Sequence, residues 1–252
     1  TLHETLAQLA LDGITDLAVW RPSNGVWYVL RSSDSEVFAV QWGTTTAVQY
    51  GTIDDIPLPF DYDDDGRADL AVFRPETGYW YILQSSAGYS YNQAQSYRFG
   101  DLACAPVPAD YDGDGKTDIA VFRTVEETWH IRESSTGNVR STRFGRLGED
   151  YLVPADYDGD GRADIAVYRA GTWHIQSSVD NQVRNIQFGL ATDRAVPGDY
   201  DGDGKTDIAV FRDGTWYILE STTWQMRAGQ FGTAGDLPLG ATYVRPSVVM
   251  VP

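Results

Sequence analysis

The side chains best placed for chemistry are aspartates, and they recur in one arrangement. Four segments carry it: Asp61-Tyr-Asp-Asp-Asp-Gly-Arg-Ala-Asp69, Asp110-Tyr-Asp-Gly-Asp-Gly-Lys-Thr-Asp118, Asp156-Tyr-Asp-Gly-Asp-Gly-Arg-Ala-Asp164 and Asp199-Tyr-Asp-Gly-Asp-Gly-Lys-Thr-Asp207. Positions 1, 3, 5 and 9 crowd four negative charges together, a repulsion that a hard divalent cation removes. Calcium fits better than magnesium, because the loop offers many oxygens at adaptable distances, whereas magnesium keeps its water. Softer metals want His or Cys, and none of the four loops contains either. The expected ligands are Asp61, Asp63, Asp65 and Asp69; Asp110, Asp112, Asp114 and Asp118; Asp156, Asp158, Asp160 and Asp164; and Asp199, Asp201, Asp203 and Asp207. The carbonyl at position 7 joins them, from Arg67, Lys116, Arg162 and Lys205, whose cationic side chains are expected to point outward. Four loops predict about four Ca2+ ions. Asp and Gly are also ordinary turn residues, but turning the chain needs one or two of them and not a fourfold repeat of the same spacing.

The elements that position these loops are strands. An EF-hand needs flanking helices and a Glu at position 12, where this chain has Val72, Val121, Val167 and Val210. After each loop comes a β-branched run closed by an aromatic residue, such as Ile119-Ala-Val-Phe122 and Ile165-Ala-Val-Tyr168. The loop sits in a longer unit, Asp-x-Pro-Val-Pro-x-[loop]-Ile-Ala-Val-Phe-Arg-x-x-x-Gly-x-Trp-Tyr-Ile-x-x-Ser, then a variable stretch, then Phe-Gly. Five copies align: Trp27, Trp80, Trp129, Trp173 and Trp216 are spaced by 53, 49, 44 and 43 residues. Each copy predicts about four short strands, one of them at Val107 to Asp110, and no helix. The expectation is an all-β chain, a β-propeller of about five four-stranded blades with a calcium loop between the first and second strands.

In-phase recurrence of Asp-Tyr-Asp-Gly-Asp-Gly-Lys/Arg-x-Asp before Ile-Ala-Val-Phe-Arg resembles the FG-GAP/VCBS repeat family, the calcium-binding β-propeller repeats also found in integrin alpha subunits and bacterial extracellular proteins. The resemblance covers nearly the whole chain and implies one calcium per intact loop. It divides a single domain, 1–252, into repeats at about 1–50, 51–100, 101–145, 146–189 and 190–232, with 233–252 as a closure segment or partial repeat. The first copy has Gln8 and Ala10 where carboxylates belong, so it is expected to hold no ion. A sixth copy begins at Asp236 but lacks the acidic loop. Residues 236–251 are therefore the expected closing strand of the first blade. Residues 1–11 are then left over, free to pair with another molecule by strand addition.

Composition narrows the partners. Of 36 acidic residues, 16 occupy the cage positions of the loops, and four Ca2+ would bring the formal charge of −17 to about −9. Such acidity excludes nucleic acid, which needs basic stripes. There is no apolar run long enough to span a membrane, nor a signal or lipidation motif, and the calcium demand suits an extracellular or cell-surface setting. Cys104, the single cysteine, reads as a small buried residue. His130 and His174 occupy the slot of Tyr28, Tyr81 and Tyr217, beside no nucleophile, so no catalytic residues are expected and the chain is not read as an enzyme. Arg21, Arg74, Arg123, Arg169 and Arg212 close the strand after the loop, where an internal pairing role fits. Tyr79, Tyr89, Tyr91, Tyr97, Tyr151 and Trp224 lie outside the repeat slots, as ligand-facing rings or as plain packing. The functional expectation is a non-catalytic adhesion or interaction scaffold for a protein or glycan ligand. The alternatives are a subunit of an extracellular filament assembled by terminal strand exchange, and a lectin-like module.

Overall fold

The structure is a computed structural model that describes residues 17–21, 26–30, 37–41, 56–88 and 90–239. The cage positions of the first copy and residues 1–11 lie outside the described residues. The described strands form five four-stranded antiparallel sheets of propeller-blade type. The first holds β1 (Leu17–Arg21), β2 (Val26–Leu30) and β3 (Val37–Gln41). The second runs β4 (Ile56–Pro57), β5 (Leu70–Arg74), β6 (Tyr79–Leu83) and β7 (Gln95–Arg98). The third runs β8 (Cys104–Pro106), β9 (Ile119–Arg123), β10 (Thr128–Arg132) and β11 (Val139–Arg143). The fourth runs β12 (Tyr151–Leu152), β13 (Ile165–Arg169), β14 (Thr172–Gln176) and β15 (Val183–Gln187). The fifth runs β16 (Arg194–Ala195), β17 (Ile208–Arg212), β18 (Thr215–Leu219) and β19 (Met226–Gln230). The chain then returns: β20 (Leu237–Leu239) pairs antiparallel with β1, Val19 opposite Pro238, and completes the first sheet.

Two compact units are distinguished, one whose described part lies within Thr45–Asp150 and one made of Asp12–Thr44 and Tyr151–Tyr243. Inside the first, Phe73 and Trp80 of one sheet form a core with Cys104, Ile119 and Val121 of the next. Inside the second, Tyr168 and Trp173 pack with Ala195, Ile208 and Val210 in the same way. The Ile-Ala-Val-Phe run is buried at four successive positions in β9 and β17, because both faces of that strand are covered. The Trp strand alternates buried and half-buried, and the outermost strand is mostly exposed. Each buried Trp is worth about 1.5–3 kcal/mol or more by area.

The paired Trp and Phe-Gly signals have one physical cause. The indole N–H of Trp80, Trp129, Trp173 and Trp216 donates to the carbonyl of Phe99, Phe144, Phe188 and Phe231 at 2.8 to 3.0 Å, satisfying a donor that would otherwise be buried unpaired. The glycine that follows has positive φ, 109° at Gly189, where an added Cβ would stand 2.5 Å from the Tyr168 hydroxyl.

The secondary structure departs from the sequence reading at two places. The strand before the loop is Cys104–Pro106 and not Val107 to Asp110; beyond it only Val107 N–H and the Ala109–Asp118 bridge continue the pairing, since Pro106 and Pro108 supply no donor. A turn of 3-10 helix, Tyr91–Gln93, lies in the second repeat where no helix was expected.

Two of the closing arginines pair with carboxylates of their own chain. Arg212 makes a two-pronged ion pair with fully buried Asp193, both contacts 2.6 Å. Arg123 meets Asp101 at 2.7 Å and Glu126 at 3.0 Å.

Candidate metal centre

Each acidic loop lies between the first and second strands of its sheet and is shaped by its own carboxylates. The position 1 Asp accepts backbone N–H bonds from positions 4 and 6: Gly113 and Gly115 donate to Asp110 at 2.7 and 2.9 Å, and Gly202 and Gly204 to Asp199 at 2.7 and 2.9 Å. The position 5 Asp accepts the N–H of position 7, as Asp114 does from Lys116 at 2.9 Å. This wrapping needs left-handed backbone at position 4, which Gly113, Gly159 and Gly202 adopt at no steric cost and Asp64 adopts at φ 63°. The tyrosine at position 2 bolts the loop to the preceding segment: the hydroxyls of Tyr111, Tyr157 and Tyr200 donate to Val107, Val153 and Val196 at 2.7 to 2.8 Å, and Tyr62 to Leu58 at 3.3 Å.

The position 9 aspartates Asp69, Asp118, Asp164 and Asp207 are 0 to 1% exposed. Each takes the N–H of the position 2 Tyr and a second N–H from Ser85, Ser134, Ser178 or Ser221, which follow the end of the neighbouring Trp strand. Burial nevertheless pushes the carboxyls of Asp69, Asp118 and Asp164 up to about 6, and raises Asp207 as well. Backbone donors alone thus fail to offset the cost of a charge there, and a bound cation would do so.

Those serines mark a layer that the sequence reading passed over as the Ser ending Ile-x-x-Ser. The hydroxyls of Ser85, Ser134, Ser178 and Ser221 donate to the position 5 Asp of their loops at 2.6 to 2.9 Å. A second hydroxyl holds position 3: Ser86 on Asp63, Ser135 on Asp112, Ser177 on Asp158 and Thr222 on Asp201. In the fourth sheet Val179 stands where Ser86, Ser135 and Thr222 stand in the others, and Ser177, from two residues earlier, supplies the missing hydroxyl.

In three loops, oxygens from positions 1, 3 and 9 lie within 4.8 Å of one another: Asp61, Asp63 and Asp69; Asp110, Asp112 and Asp118; Asp156, Asp158 and Asp164. In the fourth the group is Asp199, Asp201 and Asp203, and Asp207 is not among it. Asp65, Asp114 and Asp160 also stay out of their groups, turned to the serine hydroxyls and the position 7 N–H. Asp63 Oδ1 and Asp158 Oδ1 are buried and have no hydrogen-bond partner. Clusters of hard oxygens with such orphaned acceptors fit a divalent cation. At position 7, Arg67, Arg162 and Lys205 are exposed and Lys116 is half-buried; the Lys205 chain runs along the preceding loop, where a Cβ on Gly159 would meet it at 2.7 Å.

His130 and His174 bond across their hairpins to Ser141 and Asn185, as structural slots require. Tyr79 stacks on Tyr81, Tyr97 lies under Arg132, and Tyr151 packs against Tyr168. Trp224 is 61% exposed at a hairpin tip. The side chains of Tyr89 and Tyr91 lie outside what is described. No helix among the described residues is long and apolar enough to cross a membrane.

Residues 61–121 match the FG-GAP-like repeat family, so the resemblance read from the loop spacing holds there. No curated protein matches the sequence. Among solved structures the chain is similar in fold to a lectin from Agrocybe aegerita described as recognising non-reducing terminal N-acetylglucosamine. That likeness has 18% identity and a TM-score of 0.52, and it covers 86% of this chain but less than two thirds, 63%, of the lectin chain. Virginiamycin B lyase from Staphylococcus aureus is similar at 6% identity and TM-score 0.48, over 89% of this chain and 73% of that one. The Tc holotoxin pore of Photorhabdus luminescens is similar at 15% identity and TM-score 0.48, over 92% of this chain and 12% of that one.

Proposed function

We propose that the chain is a calcium-stabilised, five-bladed β-propeller that serves outside the cell as a non-catalytic interaction scaffold, with a protein or glycan as its ligand. The observation that carries the reading is the loop itself. In three loops the carboxylates of positions 1, 3 and 9 converge and in the fourth those of positions 1, 3 and 5, all under a common Ser/Thr brace, and two of the loops leave buried oxygens unpaired. Calcium at each loop would be held by the aspartates at positions 1, 3, 5 and 9 and the position 7 carbonyl, and its charge offsets the burial of the position 9 carboxylate. The ion's work is structural, fixing the link between the first two strands of each sheet, while the exposed outer strands are left to meet a partner. An extracellular site supplies the calcium concentration that such loops need.

An ion that binds only the folded state adds about 2.7 kcal/mol per site at one hundred times its dissociation constant. Removing several such ions with a chelator is expected to lower the melting temperature by at least about 10 °C, reversibly on adding calcium back. An unchanged melting curve would rule out the scaffold role of the metal.

A further inference from the structure

The second sheet breaks the repeat in a coordinated way and opens a cavity. Opposite the repeat isoleucine, the third and fifth sheets place Arg140 across from Ile131 and Arg227 across from Ile218. Each arginine reaches back to the carbonyl of the position 2 tyrosine, Arg140 to Tyr111 at 3.0 Å and Arg227 to Tyr200 at 2.5 Å. Each also pairs with a glutamate two residues after its isoleucine, Arg140 with Glu133 at 3.6 Å and Arg227 with Glu220 at 3.1 Å. In the second sheet both partners are exchanged together. Gln95 lies opposite Ile82, and its amide donates to Gln84 at 2.8 Å. A neutral Gln–Gln rung replaces an Arg–Glu rung, and Gln95 is too short to repeat the reach to the tyrosine carbonyl.

The volume so vacated is a cavity of about 230 Å3 between the second and third sheets, within one compact unit. Tyr97 forms one wall, at a position where the other sheets have Val40, Thr142, Ile186 and Gly229 opposite their tryptophans. Its hydroxyl donates to Gln95 at 2.6 Å, and its ring carries the Arg132 guanidinium at 5.1 Å. Glu133 completes the polar lining. The spare capacity of this set is mixed: amide N–H groups of Gln84 and Gln95, guanidinium N–H groups, and acceptor oxygens of Tyr97 and Glu133. Vicinal hydroxyls, each both donor and acceptor, match such a set, and the apolar face of a pyranose matches a tyrosine ring. The volume falls below the ~300–1,000 Å3 usual for drug-sized ligands and suits a single glycosyl unit.

The geometry points to a saccharide-binding subsite in this cavity, with Gln84, Gln95 and Tyr97 as the residues that make it. It deepens the scaffold reading by naming a ligand class, and it is separable from the calcium role because none of the three residues that make it is a proposed metal ligand, although Lys116, whose carbonyl is one, also lines the cavity. The test uses the whole chain in calcium buffer, titrated by saturation-transfer NMR with the methyl glycosides of glucose, galactose, N-acetylglucosamine and glucuronic acid up to about 20 mM, where a millimolar Kd is saturated. At least one is expected to bind. The double variant Gln84→Glu with Gln95→Arg, which installs the rung of two other sheets, is expected to weaken that binding at least about tenfold with an unchanged melting temperature, and Tyr97→Ala to weaken it by a similar factor. Binding unaffected in the double variant, or no binding by any of the four glycosides, overturns the subsite. Neither result bears on the chelator experiment, which reads the metal alone.

Discussion

At the scale of the residue, the repeat shows how a lost group is replaced from nearby. Asp150, Asp193 and Asp236 cap the turn after Phe-Gly by accepting the N–H of Arg146, Leu190 and Thr233. Cys104 holds that place in the third sheet, and Asp101, three residues earlier, takes over the arginine. Burial pushes the Cys104 thiol up to about 11, which keeps it an inert thiol. Partial burial would raise the Asp101 carboxyl too, but the hydrogen bonds from Arg123 and from Ala103 N–H outweigh it and hold it below the usual range. The Asp101–Arg123 pair is open to solvent, with side chains 48% and 35% exposed, so Asp101→Ala is expected to cost no more than about 1 kcal/mol. Adding Cys104→Asp to that variant restores the arrangement of Asp193 and should recover most of the loss in urea unfolding; a double variant no more stable than the single one would refute the compensation. Arg212→Ala is expected to cost more, about 3 kcal/mol, because it strands fully buried Asp193. The meeting of the aspartates at positions 1 and 3 was legible because the same pair recurs at the same spacing in all four loops. The Cys104 exchange was not, because it shows only once the ion pair is seen in space.

At the scale of the element, consecutive loops are tied to each other as well as to their strands. The N–H of Thr117, in the third sheet's loop, donates to the carbonyl of Asp61 in the second sheet's loop at 2.8 Å, and Thr206 donates to Asp156 at 2.7 Å in the other unit. Ordering one loop therefore fixes the first residue of its neighbour, and calcium binding in such a pair is expected to be coupled. Asp118→Asn should abolish the ion at its own loop and also weaken calcium at 61–69 by about fivefold or more, the usual scale of coupling between sites. The Gly66 and Gly115 amide signals in a calcium titration by NMR report the two loops separately, and an unchanged midpoint at Gly66 would show the loops to be independent. Element order and the Trp strand could be read from the period and the β-branched runs. The bounds of the first strand could not, because Pro-x-Pro withholds the donors that define a strand while the chain still runs alongside its partner. Those prolines make sense in place: β4, β8 and β20 are edge strands, where a missing N–H costs no ladder bond.

At the scale of the whole molecule, the pairing of β20 with β1 joins residues more than 200 positions apart. Loop-closure entropy rises only as the logarithm of chain length, so so distant a contact costs about 0.6 kcal/mol more than one at half that separation. What it protects is the N-terminal side of the first sheet. Without β20, β1 would be an edge strand with unpaired backbone groups beside Ala18, Val19 and Trp20, a template for association with another chain. The departure of the last copy from the repeat at Val244-Arg-Pro made a returning strand legible in the sequence; its register was not, because Leu-Pro-Leu gives too short an alternation to fix which residue faces which. Truncation after Asp236 is expected to leave the fourth and fifth sheets folded, since among the described residues their cores are built from side chains before that point. Amide exchange should accelerate throughout β1 and β2, and the truncated chain should associate at concentrations where the full chain does not. Exchange rates in β1 matching those of the full chain, together with an unchanged sedimentation profile, would show that the returning strand is dispensable and that the first sheet is held by its own three strands.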